Sequence, residues 1–146
     1  MLICKHKGMT IAVLTRNEHC PPHVHVGNND WDARFKFSFW HNSVDLWDVE
    51  PNHKAPAESV LEELRLVIEN PVNLRKARQC WWTIHSSTFI KTCLDNKYWD
   101  PINNEEIDGK NATAGTPQIQ LATYDPANDE TTLTFAGGAA PLRIKL

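Results

Sequence analysis

The chain has 146 residues, 15 Lys and Arg against 18 Asp and Glu, and a formal charge of −3. That length suffices for one domain with a core of its own, so folding does not depend on disulfides. The mild charge gives no global argument for a nucleic-acid partner. No apolar run is long enough for a signal peptide or a membrane span, and the expectation is a cytoplasmic protein with no membrane association.

The charge is uneven along the chain. Through Leu94 there are 11 basic and 10 acidic residues, whereas Asp95 to Glu130 holds eight acids and two lysines, which makes that stretch a poor ligand for phosphate backbones. Cys4, Cys20, Cys80 and Cys93 show neither a CxxC pair nor the spacing of a secreted framework. Cys80 and Cys93 fall among apolar residues and read as buried thiols.

Met9 to Thr15 is a short β-branched run and the first expected strand. Pro21 and Pro22 then fix φ and remove two backbone donors, so the chain enters Val24 extended, at an edge or the start of a strand. His23 and His25 are two apart, which in a strand puts both imidazoles on one face. Gly27 to Asp30 reads as a turn. Beyond it Trp31, Ala33, Phe35, Phe37 and Phe39 share a face, with Asp32, Arg34, Lys36 and Ser38 on the other. Val44 to Val49 is a further strand with imperfect alternation.

Ala57, Val60, Leu61, Leu64, Val67 and Ile68 recur at helical spacing, predicting a helix from Pro56 to Glu69. Asn70 and Pro71 end it and start a second helix running to Leu94. Asp95 to Pro117 is polar and turn-rich and reads as a linker or loop. Alternation at Ile119–Thr123, Thr131–Phe135 and Leu142–Leu146 predicts a β-meander. The expected architecture is α+β: an antiparallel sheet covered by two helices in residues 1–94, the linker in 95–117, and a C-terminal β segment in 118–146 docked on the first part.

Four histidines, His19, His23, His25 and His41, are the candidate chemical groups. His23 and His25 at strand spacing suit a divalent metal such as zinc, with a third ligand from His19, His41, Asp32 or another acid brought near by folding. No HExxH or spaced Cys–His pattern accompanies them, so no cofactor is specified outright. Without metal, two histidines can act as a ribonuclease-like acid and base, with Arg34 or Lys36 holding phosphate if they project on the same side. Arg75, Lys76 and Arg78 form the compact basic cluster, read as a surface patch with nucleic-acid contact as the alternative. Adjacent Trp81 and Trp82 point about 100° apart on a helix, so both cannot face one narrow core stripe and one of them is expected to reach another subunit, the C-terminal segment or a ligand groove.

The stretch Cys20-Pro21-Pro22-His23-Val24-His25-Val26, followed by a turn and a strand containing Ala33, resembles a small bacterial family of unknown function marked by an Asn-Pro-Pro-His-Phe-His-Val type motif. The resemblance runs on through Val60 to Ile68 and the Trp81 region. Cys20 stands in place of the asparagine and Val24 in place of the aromatic. The resemblance implies association with a small β-rich partner in a toxin–antitoxin setting, and Gln118 to Leu146 looks like such a partner fused to the same chain. The functional expectation is therefore a non-enzymatic protein-interaction module of a bacterial toxin–antitoxin, defence or phage-conflict system. It would act with a protein partner or as a homo-oligomer, with Trp81, Trp82, Arg75 and Arg78 as contacts. The alternative is a histidine-dependent metal hydrolase or ribonuclease-like enzyme.

Overall fold

A computed structural model describes all residues from Met1 to Leu146. The fold is α+β, with an antiparallel sheet system, two helices and a C-terminal meander. The chain forms two compact units, one of residues 1–38 and 42–85, the other of residues 39–41 and 86–146. No helix is long and apolar enough to cross a membrane.

The first unit is built on a five-stranded sheet in sequential order: β1 (Leu2–His6), β2 (Met9–Ala12), β3 (His23–Gly27), β4 (Asp32–Lys36) and β5 (Asp45–Glu50). Every neighbouring pair is antiparallel. Ile11, Val24, Val26, Ala33, Phe35 and Val49 are buried, as the alternation of β3 and β4 requires of the apolar face. The turn between β3 and β4 is held by Asn28, whose Oδ1 accepts from the amides of Asp30 (2.8 Å) and Trp31 (3.2 Å). Gly27 is needed there because a Cβ would meet the Trp31 carbonyl oxygen at 2.3 Å.

The helices are α1 (Glu58–Glu69) and α2 (Pro71–Thr88), burying Leu64 and Ile68 from the first and Leu74, Ala77, Cys80 and Trp81 from the second. Asn70 caps α2 as expected, its Oδ1 accepting from the Val72 amide at 3.1 Å. The second helix does not run unbroken to Leu94. Its backbone leaves helical geometry at His85 (φ −124°, ψ 18°), and Phe89–Cys93 continues as a π-helical turn.

Two further departures have local causes. Leu2–His6 forms a strand, unexpected because Lys5 and His6 interrupt its apolar pattern, and its Cys4, Lys5 and His6 pair with Ile11, Thr10 and Met9. The aromatic strand stops at Lys36: the Ser38 carbonyl accepts from Arg78 Nε at 2.8 Å instead of continuing a ladder. Phe39 and Trp40 then serve the second unit.

That second unit contains a hairpin, β6 (Lys97–Asp100) with β7 (Glu105–Asp108), where a loop was expected. It also contains β8 (Ile119–Asp125), β9 (Glu130–Phe135) and β10 (Leu142–Lys145) in the order β10-β9-β8. Its core gathers Phe39 against Phe89 and Tyr124, with ring centroids 5.0 and 5.1 Å apart, and Trp40 against Trp99 at 6.0 Å. Cys93 is not the buried thiol expected: it is disulfide-bonded, whereas Cys80 is a buried free cysteine.

Candidate metal centre

The loop between β2 and β3 brings Glu18 back over the start of β3. Its carboxylate, with 4% of the side chain exposed, lies 2.7 Å from His23 Nε2 and 3.3 Å from His25 Nε2. Strand spacing places both imidazoles on one sheet face, and the ligand atoms of Glu18, His23 and His25 all lie within 4.8 Å of one another.

The far side of each ring is fixed. His23 Nδ1 is 2.8 Å from the Pro21 carbonyl oxygen, and since a carbonyl only accepts, Nδ1 carries the proton. His25 Nδ1 donates to Asp32 Oδ2 at 2.9 Å. With Nδ1 protonated, a neutral ring turns the Nε2 lone pair inward. With both rings neutral, two lone pairs and a carboxylate face one another in a buried space, a repulsion that either a cation between them or a proton on His25 Nε2 relieves. Glu18 Oε2 and His25 Nε2 are both buried without a hydrogen-bond partner.

Burial lowers the His23 pKa below its ordinary value, outweighing the Pro21 hydrogen bond and the Glu18 charge that favour the imidazolium. For His25, burial also acts downward, but the Asp32 hydrogen bond and the charges of Asp32 and Glu18 outweigh it and raise the pKa. The two rings, 5.0 Å apart, are thus held in different environments. His23 is the one kept neutral.

The set fits a divalent ion on its own chemistry. Two imidazoles and one carboxylate are the donors of catalytic zinc and of the two-histidine, one-carboxylate iron site, both of which keep a position open. Ring nitrogens anchored on a carbonyl and a carboxylate are the outer shell such ligands require. Glu18, His23 and His25 are therefore compatible with divalent-metal coordination.

A bulge completes the surroundings. Arg34 pairs with Asp48 and Phe35 with Leu46, leaving Trp47 as the extra residue of β5. Its ring meets His23 edge-on at 5.1 Å and His19 at 5.5 Å, and Arg34 Cζ lies 4.2 Å from its centroid. Arg34 also holds Asp48 with both Nε (2.7 Å) and Nη2. That hydrogen-bonded pairing lowers the Asp48 pKa and raises that of Arg34.

Of the four candidate histidines the fold brings two together. His19 is exposed beside them, its Nε2 3.4 Å from Arg34 Nη1, and His41 belongs to the second unit and not to the cluster. Asp32 stands behind His25 instead of beside the ligand atoms. Glu18 was missed because it sits in a loop without periodicity; the signal available was an acid five residues before the first histidine of a double-proline motif. Of the expected contact residues, Trp81 (0% exposed) and Arg78 (1%) lie inside the first unit, while Trp82 and Arg75 are half-buried. Trp81 packs on His23 at 5.5 Å and His85 at 4.9 Å, and Arg78 reaches Asn42 Oδ1 at 2.8 Å. The chain matches no protein-family model, no curated protein and no solved structure in the three comparisons made.

Proposed function

We propose that this chain is a divalent-metal-dependent hydrolase whose ion is held by Glu18, His23 and His25. The observation that carries the reading is the Glu18 carboxylate lying 2.7 and 3.3 Å from two Nε2 atoms whose rings are anchored through Nδ1. When bound, the ion supplies Lewis acidity and an activated water at its open position. Pro21 and Asp32 keep the rings in the ligating tautomer. Burial of Glu18 and His23 excludes bulk water from the ligand side.

The test is metal analysis after chelator-free purification. The wild-type chain is expected to carry close to one equivalent of zinc or another divalent ion, and Glu18→Gln or the His23→Ala, His25→Ala pair to lose it with circular dichroism unchanged. A wild-type chain that takes up no divalent ion overturns the reading. The protein-interaction module is then the proposal to pursue, supported by the exposed apolar side chains of Leu66 (54%) and Val72 (76%) near the α1–α2 junction.

A further inference from the structure

The face that carries the histidines also carries cations, and the strand register fixes which. His25 is the cross-strand partner of Arg34, and His23 of Lys36, so each histidine has a basic residue beside it on the same face. Arg34 is preorganised: Asp48 holds its Nε and Nη2, and Trp47 lies along its guanidinium at 4.2 Å. Its remaining edge, Nη1, faces His19 Nε2 at 3.4 Å, and that nitrogen has two N–H groups.

Three acids of this face are engaged: Asp48 holds Arg34, Asp32 holds His25, and Glu18 lies on the two Nε2 atoms. Two exposed ones compete for the cations, Asp45 opposite Lys36 and Glu50 at 3.9 Å from Arg34 Nη2, so an anion must displace them to bind. Arg34 and Lys36 are two residues apart on β4, about 7 Å along the strand, a separation their long side chains span on one small anion. A ligand meeting an ion, a guanidinium and an ammonium together meets three electrophiles. A carboxylate has two oxygens to offer and a phosphoryl group has three.

Resting on the metal reading above, we infer that the substrate is a phosphate ester whose nonbridging oxygens are taken by Arg34 and Lys36 beside the Glu18, His23 and His25 centre. Arg34 reads the phosphate through Nη1, with Asp48 and Trp47 holding the guanidinium in place. Lys36 contributes a point charge from the His23 side.

The experiment is calorimetric titration of inorganic phosphate into the zinc-loaded chain, with acetate as the carboxylate probe and zinc content measured on every sample. Wild type is expected to bind phosphate more tightly than acetate. Arg34→Met and Lys36→Met are each expected to weaken phosphate at least about tenfold with zinc content unchanged. Lys36→Met keeps the test decisive if loss of Arg34 disturbs folding by leaving Asp48 unpaired. Phosphate affinity unaltered in Lys36→Met and in a folded Arg34→Met, or equal affinity for acetate, overturns the inference while leaving the metal centre standing. If wild type takes up no zinc, the metal reading falls by itself and the zinc-free titration decides the rest. Variant-sensitive phosphate binding there supports the basic pair, and its absence overturns it.

Discussion

Both units bury carboxylates, and they treat them differently. In the C-terminal meander Asp129 accepts from Tyr124 Oη at 2.7 Å, and Glu130 accepts from Arg143 Nε at 2.9 Å. Each of these acids meets a donor, as a buried structural acid must. Glu18 is turned instead toward the Nε2 atoms of two rings whose Nδ1 protons go to Pro21 and Asp32, and its Oε2 has no hydrogen-bond partner. Burial alone does not separate a structural carboxylate from a ligand. What separates them is whether the groups it faces bring protons or lone pairs.

The largest expected effect tests the ligand side of that contrast. At a free zinc concentration a thousandfold above the dissociation constant, wild type should gain about 4 kcal/mol of stability over the chelated protein, and Glu18→Gln should gain almost none. Thermal unfolding with and without chelator reads this, and equal shifts in both proteins would remove Glu18 from the site. Next in size is the structural side. Tyr124→Phe leaves the buried Asp129 carboxylate short of a donor and should lose roughly 2 kcal/mol in urea unfolding, by the same amount with and without zinc.

A smaller effect sharpens the comparison within Glu18 itself. Without zinc, Glu18→Gln replaces a charge with an amide able to donate to a histidine Nε2. Its stability should fall within about 1 kcal/mol of wild type or exceed it. A loss of several kcal/mol without metal would make Glu18 a structural acid like Asp129. The smallest effect concerns Asp48. Its folded pKa is depressed, so its ion pair contributes stability above the unfolded pKa, and that contribution disappears as pH falls through the folded one. Asp48→Asn should flatten the acid limb of a stability–pH profile between about pH 5 and pH 3, a solvent-screened effect of less than about 1 kcal/mol for this half-buried pair.

Periodic segments were readable in the sequence because burial on one side imposes period 2 or 3.6. Val24, Val26, Ala33 and Phe35 are buried as alternation demands, Leu64 and Ile68 are the buried residues of α1, and the meander begins where the apolar alternation resumes. The same rule misled where partners end. Phe39 continues the alternation of Phe35 and Phe37, yet β4 stops at Lys36 and Phe39 packs on Phe89 and Tyr124, a choice set by residues 50 and 85 positions away. β5 reads poorly because the bulge at Trp47 puts Leu46 and Val49, an odd number apart, opposite Phe35 and Ala33 of one face. The histidine pair was visible in its spacing. Its carboxylate was not, since a loop acid acquires its role only when the chain returns over β3.

The Trp47 bulge gives the centre an optical consequence. An indole edge-on to His23 and stacked under a guanidinium changes its quenching and its near-ultraviolet ellipticity when the imidazole beside it changes electronic state. On the proposed metal reading, loading the histidines is expected to change the difference spectrum between wild type and Trp47→Phe, with the other five tryptophans cancelling. The residue that breaks the pleat is thus an optical reporter for whatever the Glu18, His23 and His25 cluster takes up.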